Sequence, residues 1–386
     1  MSRSGPCPLI EVSGPPGVRG RQYGQQAAAL IRRAVAHYSD QLRRFEIDAS
    51  KLSRLVAGYV PTIEAFDPRF IEEMRGIAAG AGVEFEQIVM VNARTEVLEL
   101  AADPALLARL RELASMEGCT TLAVEPEAAD GGRLIHAHNW DWKVESADAS
   151  VVLRIRSDEG PDILTFTEAG ALARFGLNAR GLAITGNYLE CDRDYCQVGV
   201  PLAVIRRKVL EQTHLAPALA LVCTTAKSGS NNIVVSDGGG GMVFDFECAP
   251  DEVFEVEPQS GVLVHANHWR SPIALTKLRE EGIRSSPDSL CRERRVRKLL
   301  ATRRGRLTIE DAKAILADDW ATPWSICRPP RPSTDHGITA TVATLIMQPE
   351  LGRMEVALLP ASGARFTRYE LAGGGAASAM GGGPAG

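Results

Sequence analysis

Glu117-Gly118-Cys119-Thr120-Thr121 closes a helix-rich first third of the chain and opens a run of segments with strand character. Upstream, Leu30, Ile31, Ala34, Val35, Tyr38, Leu42 and Phe45 recur at helical spacing, so one face of 24–45 is buried. Asp67-Pro68 reads as a cap followed by proline at the first helical position, and that helix should stop near Gly80 and Gly82. A further helix is expected over 86–100, with a short one starting at Pro104, while the Gly- and Pro-rich 1–17 reads as irregular. Downstream, 120–125, 133–140, 151–157, 163–167, 171–175 and 182–187 alternate or are rich in β-branched residues, as strands are. Helices fit 201–213 and 217–227. A hairpin with the turn Gly238-Gly239-Gly240-Gly241 joins 232–237 to 242–248. A strand over 261–265, helices over 288–302 and 308–318, and strands over 339–347 and 354–359 complete the series. Thr308-x-x-Asp311 resembles a capping box. Strands in runs and helices in blocks, without strict alternation, argue for layered α+β with sheets face to face and helices outside.

The Gly118-Cys119 junction carries the chemistry. Glycine tolerates backbone geometries that other residues cannot and leaves its carbonyl open to attack. Cysteine is a strong nucleophile even when only partly ionised. Attack of the Cys119 sulfur on the Gly118 carbonyl would give a thioester, and water would then release a free α-amino group on Cys119. Such an amine titrates at roughly 7.7–8.0 and can serve as general base for the adjacent thiol. The tetrapeptide alone leaves a second reading open, a cysteine that enters a strand as a small buried hydrophobe.

Composition excludes several classes. The 386 residues are 45% hydrophobic and 24% charged, which is ordinary globular usage with enough chain for a large core. A net charge of −5 gives no footprint for nucleic acid. Residues 1–11 lack the apolar stretch of a secretory signal, and no apolar run has the length of a membrane span. The eight cysteines show no C-x-x-C pair or framework spacing, so reduced thiols and a cytoplasmic location are expected. His136 with His138, and His265 with His268, have no carboxylate or cysteine cluster at a familiar spacing, so no metal is expected. Arg94 and Glu96 read as structural ion-pair residues.

A set of short motifs occurs in order: Val91-Asn92-Ala93-Arg94-Thr95-Glu96, Gly118-Cys119-Thr120-Thr121, Asn139-Trp140-Asp141-Trp142 and Thr167-Glu168-Ala169-Gly170. Gly176-Leu177-Asn178, Gly199-Val200-Pro201, His265-Ala266-Asn267-His268 and Trp324-Ser325-Ile326-Cys327-Arg328 follow. With these motifs the sequence resembles the acyl-CoA:isopenicillin N (6-aminopenicillanic acid) acyltransferase family of autoproteolytic cysteine N-terminal-nucleophile (Ntn) hydrolases, from about Gly14 to Leu359. The resemblance implies a four-layer αββα sandwich with a helical N-terminal prosegment. It divides the chain into a prosegment or small subunit (1–118), a catalytic large subunit (119–372) and a Gly/Ala-rich tail (373–386) expected to be disordered.

The same resemblance makes Cys119 the nucleophile, with the cut between Gly118 and Cys119. It gives Asp141 a role in processing and catalysis, Asn267 that of oxyanion donor, and Ser325 a place on the substrate side. Arg328 is a candidate for a substrate carboxylate or phosphate. The implied activity is acyl transfer from a small amide or thioester, through a Cys119 thioester, to water or an amine. No resident cofactor is expected, acyl-CoA is a candidate co-substrate, and the two fragments should stay associated. The alternative is an uncleaved, non-catalytic member of the same fold that binds a small ligand.

Overall fold

The computed structural model describes residues 5–44, 47–100, 118–303, 305–332 and 337–371; the expected helix at Pro104 and the tail from 373 lie outside them. The strands in chain order are β1 (Leu9–Ser13), β2 (Gly118–Val124), β3 (Ile135–Lys143), β4 (Ser150–Arg156), β5 (Ile163–Glu168), β6 (Phe175–Asn178), β7 (Leu182–Tyr188) and β8 (Asn231–Asp237). They continue with β9 (Met242–Cys248), β10 (Val253–Glu255), β11 (Val262–His265), β12 (Arg331–Pro332), β13 (Ile338–Gln348), β14 (Arg353–Leu358) and β15 (Thr367–Glu370). One sheet runs β1-β4-β5-β6-β7-β8-β9-β10. The other runs β11-β2-β3-β13-β14-β15, with β12 on β13.

Helices longer than one turn are α1 (Pro16–Gln26), α2 (Ala28–Arg44), α3 (Ala49–Phe66), α4 (Pro68–Ala81), α5 (Phe85–Asn92) and α6 (Arg94–Leu100), all ahead of β2. After it come α7 (Leu202–Leu210), α8 (Leu215–Thr224), α9 (Asp288–Ala301) and α10 (Ile309–Leu316). Three apolar clusters define the layers. Ile31, Tyr59, Phe70 and Ile77 of the early helices share a core with Val151, Leu153 and Ile184 on the outer face of the first sheet. Trp140, Phe166, Phe175 and Leu345 fill the space between the sheets. Leu122, Ala137 and Ile346 on the far face of the second sheet pack against Val296, Ile315 and Leu316 of α9 and α10. The order is helix, sheet, sheet, helix, the αββα sandwich the resemblance implied.

Several boundaries differ from the sequence reading for local reasons. Residues 9–13 form β1, which pairs parallel to β4, because the alternation in Leu9–Ser13 buries Ile10 and Val12. The helix expected over 24–45 is two, broken at Ala27, and that over 86–100 is two, broken at Ala93 (φ −118°). The strand expected at 171–175 begins only at Phe175, since Ala171–Arg174 follow a turn at Gly170 (φ +97°). Asp67 caps α4, Gly82 ends it in the left-handed conformation, and the Thr308–Asp311 capping box forms.

Candidate active site

Alternation along β2 and β3 sorts the site into two faces. Cys119 and Thr121 face the first sheet, where the Thr121 hydroxyl donates to Asn187 Oδ1 (2.7 Å) and contacts His138 Nδ1 (2.8 Å). Gly118 pairs in register with Asp141, and Cys119 with Trp140. Asn139 and Asp141 point the other way, toward the α9–α10 layer, and Asn139 donates to the Leu316 and Ile326 carbonyls.

The backbone of Cys119 is clamped on both sides. Its amide donates to Asn267 Oδ1 at 2.8 Å. Its carbonyl accepts from Arg292 Nη1 at 2.5 Å, while Arg292 Nη2 donates to the same Asn267 Oδ1 at 2.8 Å. Two donors on one oxygen fix the orientation of the Asn267 amide, and its Nδ2 donates to the Tyr188 carbonyl (3.0 Å). Arg292 is anchored in turn by Asp288 (2.9 Å).

Below Gly118 lies a second cluster. Asp141 Oδ1 accepts from Thr341 (2.6 Å), and Asp141 Oδ2 lies 3.1 Å from Arg328 Nε as a buried ion pair. Arg328 also pairs with Asp288. Burial works against its charge, but Asp141 and Asp288 outweigh that and raise its pKa. A Cβ on Gly118 would stand 2.5 Å from Asp141 Oδ2 and 2.7 Å from Arg328 Nη1, and Arg328 Nη1 is buried without a hydrogen-bond partner. Thr341 reaches Asp141 where the β13 register shifts between Thr341 and Ala343, as bulges beside functional sites often do.

Cys119 also lines a cavity of about 60 Å³, room for a few waters. One wall comes from the segment ahead of the junction, through Val91, Asn92, Arg94, Thr95 and Glu96. The opposite wall includes Trp140, Arg174, Phe175, Asn187 and Arg206. Arg94, the expected ion-pair residue, pairs with Glu168 (3.2 Å) across the junction, whereas Glu96 accepts from the Leu202 amide (3.0 Å).

Of the residues singled out from sequence, Gly118, Cys119, Asp141, Asn267 and Arg328 come together. Both charged partners of Arg328 are protein carboxylates. Ser325 is buried nearby, but its hydroxyl donates to the Cys327 carbonyl (2.6 Å) and meets Thr322 (3.3 Å); it is not among the residues that line the cavity. His136 contacts the Ser236 and Thr185 hydroxyls, and burial pushes its pKa down to about 3. His138 is pushed down too, so both rings are neutral. Among the described residues no group of three or more His, Cys, Asp or Glu side chains is arranged to hold a metal ion, and no helix is long and apolar enough to cross a membrane. Sequence reasoning missed Arg292, Asp288, Thr341, Asn187 and Arg206.

Comparison with known sequences bears on the same geometry. The profile of the family described as acyl-coenzyme A:6-aminopenicillanic acid acyl-transferase matches residues 128–359, more than half of the chain. The chain belongs to that family. Among proteins similar to this acyltransferase-family chain is the 40 kDa form of acyl-coenzyme A:6-aminopenicillanic-acid-acyltransferase from Emericella nidulans. It is 26% identical over 336 residues, covering 86% of this chain and 87% of that one. Solved structures with a likeness to the present chain include a Caenorhabditis elegans ortholog of N-acylethanolamine-hydrolyzing acid amidase (13% identity, 60% of this chain and 93% of that one, TM-score 0.42). Conjugated bile acid hydrolase from Clostridium perfringens, in a mutant form, is another (12%, 66% and 92%, 0.46). A third is penicillin V acylase from Agrobacterium tumefaciens (13%, 66% and 86%, 0.42). The profile begins beyond Cys119, so in this acyltransferase-family chain the Gly118-Cys119 junction is read from its own motif and geometry.

Proposed function

We propose that the chain is a self-processing cysteine N-terminal-nucleophile enzyme that cuts itself between Gly118 and Cys119 and then catalyses acyl transfer or amide hydrolysis. The observation that carries this reading is the junction itself. The Cys119 amide and carbonyl are held by Asn267 and Arg292, and Gly118 lies flush on the Asp141–Arg328 pair beside a cavity that Cys119 lines. In the cut, the Cys119 sulfur adds to the Gly118 carbonyl and the thiol proton passes to the Cys119 nitrogen as the C–N bond breaks. Arg328 Nη1 supplies a donor next to Gly118 as negative charge develops. Water then hydrolyses the thioester, leaving the Gly118 carboxylate, the free thiol and the Cys119 amine.

Turnover repeats the chemistry on a substrate. The α-amine, held by Asn267 Oδ1, takes the thiol proton and passes it to the leaving group. Asn267 Nδ2 has two hydrogens, one given to Tyr188, and the second serves the acyl oxyanion. Water or an amine finally takes the acyl group from sulfur. The substrates are a small amide or acyl donor, acyl-CoA included, and an amine acceptor. Asp141 acts through the scissile glycine and Arg328, and Ser325 supports the Cys327–Arg328 turn. The two fragments stay together, supported by buried pairs across the junction such as Arg94–Glu168 and Glu73–Arg207.

Intact mass spectrometry of the purified protein beside Cys119→Ala tests the reading. With 118 of 386 residues ahead of the cut, fragments of roughly 13 and 29 kDa are expected from the native protein and one whole chain from the variant. A native chain that stays whole on long incubation would defeat the self-processing claim and favour the binding-only alternative.

A further inference from the structure

The cavity beside Cys119 contains three arginines in unequal circumstances. Arg94 and Arg174 share the carboxylate of Glu168, at 3.2 and 2.5 Å. Arg206, on α7, is 6% exposed, yet among the described residues its guanidinium has no ion pair and no hydrogen bond, and its Nε is buried without a partner. The Phe175 ring lies 5.6 Å from the guanidinium carbon. Gly186 makes room for it, since a Cβ there would fall 2.7 Å from Arg206 Nη2. The neighbouring Arg207 shows the contrast, its guanidinium closed on both oxygens of Glu73 (3.0 and 3.1 Å).

Buried cations are ordinarily paired, because leaving one unpaired in a low dielectric is costly. Among the described residues, Arg94, Arg174 and Arg206 are set against two carboxylates, Glu96 on the cavity wall and Glu168 behind Arg94 and Arg174, which is one cation more than the carboxylates. Burial also raises the pKa of both carboxylates, which works against their negative charge. For Arg206, burial first and Arg174 second lower the pKa to about 10, which still leaves it charged at neutral pH.

We propose that Arg206 is the counter-charge for a carboxylate carried by the substrate, bound in the cavity that Cys119 lines. This rests on the reading of Cys119 as the nucleophile and adds a substrate class to it. The planar fork of a guanidinium matches a carboxylate with two parallel hydrogen bonds, and a single excess charge matches a monoanion.

The test compares two reagents of similar size at one thiol. Iodoacetate is an anion and iodoacetamide is neutral; with either, the Cys119 thiolate displaces iodide as a carbon–sulfur bond forms. Rates are read by peptide mass spectrometry on the purified full chain, and the exposed Cys291 serves as internal reference. Both reagents consume the same thiolate, so their ratio cancels any change in thiol ionisation.

The iodoacetate-to-iodoacetamide ratio at Cys119, normalised to Cys291, should fall roughly tenfold in Arg206→Met and be largely kept in Arg206→Lys. Arg206→Gln makes the same comparison should Arg206→Met not fold. An unchanged ratio in the neutral variant, or an equal loss in Arg206→Lys, overturns the assignment. Intact mass of the same samples reports separately whether the chain has cut itself, and the ratio can be read on cut or uncut protein. Failure of the processing reading is thereby distinguished from failure of this one.

Discussion

A methyl group at position 118 would stand inside contact distance of both Asp141 Oδ2 and Arg328 Nη1, neither of which can retreat from its buried pair. Gly118→Ala should therefore leave the chain whole, or slow the cut by two orders of magnitude or so, as read by gel or intact mass over time. Thr341→Val removes the hydroxyl that orients Asp141 while keeping its volume. It should slow processing roughly tenfold or more, and it should also lower the melting temperature, because Asp141 Oδ1 and the Arg328 amide each lose a buried hydrogen-bond partner. Gly118, Cys119, Asp141 and Asn267 could be singled out because each sits in a short motif shared with the family the sequence resembles, and the fold brings them together. Arg292 and Asp288 were not legible: α9 reads as an ordinary charged helix, and nothing local says that one of its arginines reaches the Cys119 carbonyl. Thr341 was hidden for a related reason, since a bulge in a distant strand aims it. Arg206 looks like any helix arginine until three dimensions show that, among the described residues, its guanidinium has no ion pair and no hydrogen bond.

Among the elements, strands rich in β-branched residues and helices with caps were legible, because their signals lie within a few residues. β1 was not: it follows a Gly/Pro-rich start and earns strand status only by pairing with β4 far along the chain. The end of β11 carries an element-scale prediction. His265 is buried against Glu247 (2.9 Å). Burial lowers its pKa, but Asp245 and Glu247 outweigh burial and raise it to about 9. Because the folded value lies above the ordinary one near 6.5, the stability it contributes is complete below about pH 6.5 and is lost as the pH rises through about 9. Unfolding free energy from urea titrations should fall by on the order of 1–3 kcal/mol over that window. The His265→Gln variant should be less stable at pH 6.5 and should lack that slope.

At the scale of the molecule, the segment ahead of the junction is part of the body of the fold. It supplies an edge strand to the first sheet, a helical layer over it and one wall of the cavity. Glu73 holds both Arg19 (2.6 Å) and Arg207 (3.0 Å) in the interior. Burial raises its pKa, but the two guanidiniums reverse that and lower it. Glu73→Ala leaves the two buried cations with Glu211 alone, 3.2 Å from Arg207 and 3.9 Å from Arg19, and should cost about 3 kcal/mol in unfolding free energy, measured by denaturant titration.

Thr341 reaches Asp141 from 200 residues downstream, and Arg328 also lies far beyond the bond to be cut. A chain still emerging from the ribosome has Gly118 and Cys119 long before it has either of these groups. On the proposed reading the Gly118-Cys119 bond is thus exempt from breakage during synthesis, and its rupture would certify that translation has run nearly to the end. Nascent chains arrested with only the residues before 320 outside the ribosome should remain whole, while released full-length chains should cut. Truncated products would then carry an intact junction, a chemical mark that separates unfinished molecules from finished ones.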